Sequence, residues 1–213
     1  MEAEKHTVSY TSVNSFESLN RLNPETKYIW FAFHGMGHLS KYFLKYFEGL
    51  DPKLHYLITP QAPSKYYLNG QFKHVGASWL TKEDTAREME NILSYLDAIM
   101  DNISLPVNAE RIVFGYSQGV SIALRWVVKR KVRCDHLILY AGGIPEEILP
   151  SEVTHLREKT RIKIIVGDND EYITPERWEK EKEKIEALFQ GKAEIEVFDG
   201  KHEIKKEIIN TLP

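Results

Sequence analysis

Short apolar segments alternate with longer segments of helical periodicity along most of this chain. The apolar segments are rich in β-branched and aromatic residues, which is typical of buried strands. They are Tyr28–Phe33, Leu54–Thr59, Arg111–Tyr116, His136–Tyr140, Ile162–Val166 and Glu194–Phe198. Because parallel strands need crossover connections and bury both faces, this alternation predicts an α/β fold with a mostly parallel sheet and helices on both faces.

The predicted helices lie between and after these strands. They are Leu39–Phe47, Lys82–Met100, Gln118–Lys131, Glu176–Gln190 and Lys205–Leu212. The segment His6–Ser18 is polar and alternates only loosely, so we assign it to an edge strand or hairpin. Two further segments, Gln61–Ser78 and Gly142–Lys159, are expected to be irregular and to cover a site at the end of the sheet.

Length and composition restrict the class of protein. A chain of 213 residues fits a single domain, residues 1–213, and leaves little room for a cap domain. The formal net charge is -3 with interleaved basic and acidic residues, so we expect no nucleic-acid partner. No segment approaches the roughly 18 apolar residues of a membrane-spanning helix, so stable membrane insertion is not expected. The single cysteine, Cys134, excludes an internal disulfide and favours the cytoplasm.

One short motif points to a specific chemistry. Gly115, Ser117 and Gly119 form the pattern Gly-x-Ser-x-Gly between a predicted strand and a predicted helix. A serine on such a tight turn leaves no room for side chains two residues before and after it, and glycine supplies that room. The helix start also turns unpaired amides toward developing negative charge. The motif predicts a nucleophilic Ser117, with an ordinary turn serine as the alternative.

A serine nucleophile needs a neighbouring imidazole to accept its proton. When the nucleophile lies on this type of strand-to-helix turn, the catalytic residues follow one another along the chain in the order serine, acid, histidine. This order favours His202, the last histidine, which lies on a loop after the final predicted strand. The carboxylate that orients the imidazole is expected just after a strand, where Asp168, Asp170 and Glu171 lie. We favour Asp170, and Asp168 is its main rival.

The glycine-rich loop Phe33–His38 follows the first predicted core strand. Glycines let the backbone approach an oxyanion, and the predicted donors are the amides of Met36 and of Gln118, the residue after the nucleophile. His34 is expected to shape this loop through hydrogen bonds close to the substrate. The histidines otherwise lack the paired spacing of metal ligands, so the sequence predicts neither a metal site nor a cofactor.

These motifs resemble those of a known family, the small carboxylesterase/phospholipase group of α/β-hydrolases, which includes the acyl-protein thioesterases. Residues 33–37 are similar to that family's oxyanion loop, 115–119 to its nucleophile elbow, 167–170 to its acid loop and 200–202 to its histidine loop. The resemblance extends from the region of Tyr28 to the C-terminus, and it implies an α/β-hydrolase fold without a large cap domain.

Other positions near the expected entrance of the site set this chain apart. Trp79 resembles an aromatic residue that lines the family's substrate channel, and we expect it to contact substrate together with His34 and His38. His38 stands where the family usually has an acidic residue, and Lys201 where it usually has a glycine. The family's substrate preference therefore does not transfer to this chain.

The sequence thus predicts a serine hydrolase that cleaves carboxylic esters or thioesters through an acyl-enzyme intermediate. Ser117, His202 and Asp170 would form its catalytic triad, and its partner would be a small ester or thioester molecule. A non-catalytic protein that binds a small molecule is the alternative, because a fold alone does not determine function. The oligomeric state stays open between a monomer and a homodimer.

Overall fold

The computed structural model describes residues 2–213, apart from the side chain of Arg157. Nine strands occur within these residues: β1 (Phe16–Leu19), β2 (Tyr28–Phe33), β3 (His55–Pro60), β4 (Ser64–Tyr67), β5 (Val75–Ser78), β6 (Glu110–Tyr116), β7 (His136–Tyr140), β8 (Arg161–Gly167) and β9 (Ala193–Phe198). Seven of them form the main sheet in the order β1-β3-β2-β6-β7-β8-β9. Only β1, at one edge of this sheet, pairs antiparallel with its neighbour. The predicted mostly parallel sheet is confirmed.

Each predicted helical segment contains a helix, and one further helix lies in the segment Gly142–Lys159, which we predicted to be irregular. The helices are α1 (Ser40–Phe43), α2 (Thr85–Asp101), α3 (Gln118–Arg130), α4 (Thr154–Lys159), α5 (Pro175–Phe189) and α6 (Lys206–Ile209), with a 3₁₀ helix at Leu44–Phe47. The predicted helix Leu39–Phe47 is therefore divided into α1 and the 3₁₀ helix. Among the helices of residues 2–213, none has both the length and the apolar composition needed to cross a membrane.

Alternating side chains of the central strands form two apolar cores, one on each face of the sheet. On β2, Ile29, Phe31 and Phe33 pack with buried residues of α2, α3 and α5. The intervening residues Trp30 and Ala32 pack on the opposite face with α1, the 3₁₀ helix and α6. A strand that buries both faces has to be apolar throughout, which explains the continuous apolar segments of the sequence.

The segment Gln61–Ser78 is more regular than we predicted. Its strands β4 and β5 form an antiparallel hairpin outside the main sheet, in which Tyr66 pairs with Gly76. The hairpin lies against the loop that follows β2, because the amide of Gly37 donates a hydrogen bond of 2.8 Å to the carbonyl of Ala77. All four residues of β4 are exposed, so this strand lacks the apolar signal that reveals a buried one.

The segments His6–Ser18 and Gly142–Lys159 each contain one short regular element. His6–Ser18, predicted to hold an edge strand or hairpin, contains residues 16–18, three of the four residues of the edge strand β1. Gly142–Lys159 is irregular up to α4, which begins at Thr154.

The buried ring of Phe47 offers a test of the core beneath β2. Its centroid lies 5.4 Å from that of Phe114 and 5.7 Å from that of Trp30, and the side chain is fully buried. We expect Phe47→Ala to lower the free energy of unfolding by about 3–5 kcal/mol, since it leaves a cavity. The exposed Phe72 is the matched control, and Phe72→Ala should change stability by less than about 1 kcal/mol. Urea denaturation measures both, and equal effects would contradict the packing described.

Candidate active site

Ser117 lies on the tight turn between β6 and α3. Its backbone has φ 54° and ψ -118°, a strained conformation for a residue other than glycine. A Cβ atom on Gly115 would lie 2.6 Å from the carbonyl oxygen of Gly119, and a Cβ atom on Gly119 would lie 2.1 Å from that of Phe33. No side chain fits at either position, which confirms the spatial reason for the two glycines of the motif.

The structure brings Ser117, His202 and Asp170 together in one hydrogen-bonded row. Ser117 Oγ lies 2.9 Å from His202 Nε2, and His202 Nδ1 lies 2.7 Å from Asp170 Oδ2. The Asp170 side chain is completely buried, and its Oδ1 accepts hydrogen bonds from the amides of Tyr172 and Ile173 at 2.8 and 3.2 Å. Both carboxylate oxygens are therefore hydrogen-bonded, and one of them orients the imidazole.

The neighbouring carboxylates contact the backbone of the histidine loop instead of the imidazole. Asp168 Oδ1 accepts a hydrogen bond of 3.0 Å from the amide of Gly200. Glu171 accepts one of 3.3 Å from the amide of His202, and hydrogen bonds from its own amide and from that of His202 lower the pKa of Glu171. Of the candidate acids, only Asp170 contacts the ring.

Two tyrosines position His202, and our sequence analysis did not identify either of them. The hydroxyl of Tyr116 donates a hydrogen bond of 3.0 Å to the carbonyl of His202, and its ring centroid lies 5.3 Å from that of the imidazole. Tyr172 packs edge-on against the same ring at 4.7 Å. Tyr116 lies inside the Gly-x-Ser-x-Gly motif, so its closeness to Ser117 was the available signal.

Two unpaired amides lie in the backbone segments on either side of Ser117. Neither the N–H of Met36 nor that of Gln118 donates to an acceptor within residues 2–213. Gln118 directly follows the serine and is the first residue of α3. The Met36 segment is also close, because a Cβ atom on Gly35 would lie 3.1 Å from that of Ser117. The two backbone segments beside Ser117 therefore each offer one free N–H donor.

The side chain of Gln118 connects α3 to the segment that follows β5. Its oxygen accepts a hydrogen bond of 2.8 Å from the amide of Trp79, and its nitrogen donates one of 2.7 Å to the carbonyl of Leu80. The indole of Trp79 in turn donates to the carbonyl of His34 at 2.8 Å. The first residue of α3 and the loop after β2 are thus linked through Trp79.

Trp79 and His34, which we expect to contact substrate, lie beneath the loop that follows β2. Trp79 is only 1% exposed and His34 is fully buried, so neither reaches an open surface. His34 Nδ1 donates to the carbonyl of Gly35 at 2.8 Å, while Nε2 accepts from the amide of Ala62 at 3.1 Å. Burial lowers the pKa of His34 to about 4, which keeps the ring neutral. Both side chains pack beneath the loop that follows β2 and hold it through these hydrogen bonds.

His38 lies at the edge of the site and is half-buried. Its ring stacks on Tyr46 with 6.4 Å between the centroids and lies 5.6 Å from Tyr116. Burial and, to a smaller degree, the nearby His202 lower the pKa of His38. With Gly37, it forms one end of a surface groove of about 530 Å³ between α1 and the β4–β5 hairpin.

The described side chains contain no cluster of three or more histidine, cysteine, aspartate or glutamate residues that is suited to a metal ion. Cys134 is buried away from the serine, beside the carbonyl of His136. Burial raises the pKa of its thiol to about 12, so the thiolate is not populated near neutral pH. The reactive side chains of the site are therefore those around Ser117.

The family model described as phospholipase/carboxylesterase matches residues 16–212 of this chain. No curated protein matches the sequence.

Solved structures with the same fold include several hydrolases. Zea mays acyl-protein thioesterase 2 aligns with a TM-score of 0.70 at 16% identity, over 92% of this chain and 95% of that chain. A phospholipase/carboxylesterase from Dyadobacter fermentans gives 0.67 at 16% identity, over 95% and 97%. A carboxylesterase from Mesorhizobium loti gives 0.66 at 15% identity, over 87% and 88%. These similarities confirm the predicted α/β-hydrolase fold.

The buried neutral His34 predicts a defined pH dependence of stability. The imidazole of His34 has a pKa of about 4 in the folded chain and its ordinary pKa of 6.5 in the unfolded chain, so acidification favours unfolding. Between pH 7 and pH 5 this linkage removes about 2 kcal/mol of stability. His34→Gln lacks the linkage, so the destabilisation it causes should be about 2 kcal/mol smaller at pH 5 than at pH 7.

Urea denaturation at the two pH values measures the difference. The exposed His6 provides the control, and His6→Gln should follow the wild type at both pH values. If His34→Gln lowers the free energy of unfolding by the same amount at pH 5 and pH 7, the assignment of a buried neutral ring is wrong.

Proposed function

Since the chain belongs to the phospholipase/carboxylesterase family, a family of carboxylesterase- and thioesterase-type hydrolases, we propose that it hydrolyses a carboxylic ester or thioester with Ser117 as its nucleophile. The main support is the hydrogen-bonded row in which Ser117 Oγ, 2.9 Å from His202 Nε2, is connected through the imidazole to the buried Asp170. Distances of this size allow direct proton transfer between the serine and the histidine.

In the first step, His202 Nε2 takes the hydroxyl proton of Ser117 while Oγ attacks the carbonyl carbon of the substrate. The Nδ1–H of the imidazole donates to Asp170, which holds the ring in the tautomer that leaves Nε2 free to accept. Once the proton has moved, the carboxylate of Asp170 stabilises the imidazolium. Collapse of the tetrahedral intermediate breaks the bond to the alcohol or thiol, which leaves with a proton from Nε2.

The negative charge of the tetrahedral intermediate is stabilised by the free amides of Met36 and Gln118. Backbone donors held in place before the reaction are effective because they need no reorganisation as charge develops. Gln118 also lies at the N-terminus of α3, where the helix dipole favours negative charge. In the second step His202 activates a water molecule, which attacks the acyl-enzyme and releases the acid.

A set of substitutions tests the proposed roles. Ser117→Ala should lower kcat for 4-nitrophenyl pentanoate by about 10⁴-fold or more. Asp170→Asn should lower kcat by about 10⁴-fold, because it stabilises the wrong tautomer of His202. Asp168→Asn is the matched control, because asparagine keeps a side-chain oxygen that can accept the hydrogen bond from the Gly200 amide, and it should retain most activity. Initial rates at saturating ester measure all three.

Covalent labelling separates the chemistry from substrate choice. A fluorophosphonate should add one adduct to the wild-type protein, and intact mass measures it. The adduct should be absent from Ser117→Ala and form slowly in His202→Ala. A folded wild-type protein that takes no label and hydrolyses no ester would favour the non-catalytic binding protein.

A further inference from the structure

The groove between α1 and the β4–β5 hairpin begins where the proposed oxyanion loop ends. Gly37 and His38 line it, and they directly follow Met36, whose amide we assign to the oxyanion. The rings of His38, Tyr116 and His202 are consecutive neighbours, with centroids 5.6 and 5.3 Å apart. One end of the groove therefore lies close to Ser117, within reach of an extended substrate, and its volume of about 530 Å³ suits part of a small ligand.

The groove is basic although the protein as a whole is not. Lys41, Lys73 and His74 line it, and no aspartate or glutamate is among its lining residues. The formal net charge of the chain is -3, so a groove lined by lysines without carboxylates is more positively charged than the protein surface on average. Its potential should attract anions.

The lysines of the groove are not neutralised by ion pairs. Neither Lys41 nor Lys73 contacts a carboxylate within the part of the chain that the structure describes, whereas Lys163 on β8 pairs with Glu194 and Glu196. Glu48, the acidic residue that follows the 3₁₀ helix, forms an ion pair with Lys206, with 3.8 Å between Oε2 and Nζ. The two groove ammonium groups are therefore available to a ligand.

Aromatic and aliphatic surface lies beside these charges. The ammonium of Lys41 lies 4.8 Å from the ring centroid of Tyr42, and Lys45 approaches the same ring at 5.5 Å. Cation–π contacts of this kind hold cations near a ring while leaving the ammonium hydrated and accessible. Leu39 and Leu68 add apolar lining. The groove thus suits a short apolar chain that ends in a negative charge.

We propose that this groove binds an anionic group of the substrate, a carboxylate or a phosphate, and that Lys41 and Lys73 are the residues that select it. The enzyme then prefers charged esters or thioesters to neutral ones of similar size. This inference rests on the proposed function, since it concerns the substrate attacked by Ser117. Carboxylates and phosphates share the oxyanion that an ammonium recognises, and they are separated by experiment.

Two matched pairs of substrates test the proposal. For a carboxylate on the acyl side, mono-4-nitrophenyl glutarate is compared with neutral 4-nitrophenyl pentanoate. For a phosphate on the thiol side, butyryl-coenzyme A is compared with the S-butyryl thioester of N-acetylcysteamine. In at least one pair, kcat/KM of the wild type should be about tenfold higher for the anionic member at low ionic strength, and this ratio should fall as salt is added. The pair that responds identifies the anion.

Substitutions assign the preference to the groove. In the double variant Lys41→Gln, Lys73→Gln the ratio of anionic to neutral kcat/KM should fall about tenfold, because two ammonium contacts are lost. Lys192→Gln, which changes an exposed lysine in the loop before β9, should leave the ratio unchanged. Circular dichroism of the double variant checks that its fold is retained.

The outcomes distinguish this proposal from the proposed function. If the wild type hydrolyses the neutral esters and Ser117→Ala does not, but neither pair shows a preference, the groove proposal is wrong and the hydrolase assignment stands. A preference that survives in the double variant also overturns it. Absence of hydrolysis with all four substrates would overturn both proposals.

Discussion

The close approach of the Ser117 turn to the end of β2 is the constraint on which the site depends. The turn projects the serine hydroxyl away from the backbone. Its strained backbone conformation costs of order 1–3 kcal/mol. Surrounding structure holds it: the amide of Ser117 donates to the carbonyl of Tyr140 at 2.9 Å, and Gly119 packs against the carbonyl of Phe33. β2, β6 and β7 are adjacent strands buried on both faces. The strained turn is therefore held in place by the centre of the sheet.

Around this turn, the loops of the site are held to one another by hydrogen bonds between side chains and backbone. His34 and Gln118 fix the loop after β2 and the segment after β5. Asp168 and Tyr116 fix the loop that carries His202. Each connection joins segments that are far apart in the sequence. The geometry of the row from Ser117 to Asp170 is therefore set by several independent contacts, which is the property that preorganised catalysis requires.

The strand pattern, the elbow and the chain order of the site could be predicted from the sequence because each depends on local signals. Buried parallel strands are apolar along their whole length, and the elbow needs glycine at fixed positions. The choice between Asp170 and Asp168 could not be settled in the same way, since both follow β8 and only the course of the loop determines which carboxylate reaches the imidazole. The β4–β5 hairpin was not predicted, because all four residues of β4 are exposed and its sequence lacks the apolar pattern of a buried strand. The burial of Trp79 could not be predicted, because an isolated tryptophan carries no periodicity that would reveal it.

The β4–β5 hairpin divides into a fixed base and a free tip. At its base, Gly76 and Ala77 are buried and the Leu68 side chain lies against Gly76 and against Gly37 of the loop after β2, whereas residues 69–74 are exposed. The length of the tip and its side chains can therefore vary without changing the buried contacts at the base of the hairpin. For protein engineering, this makes residues 69–74 a segment in which libraries can change the lining of the groove while the row from Ser117 to Asp170 keeps its hydrogen bonds.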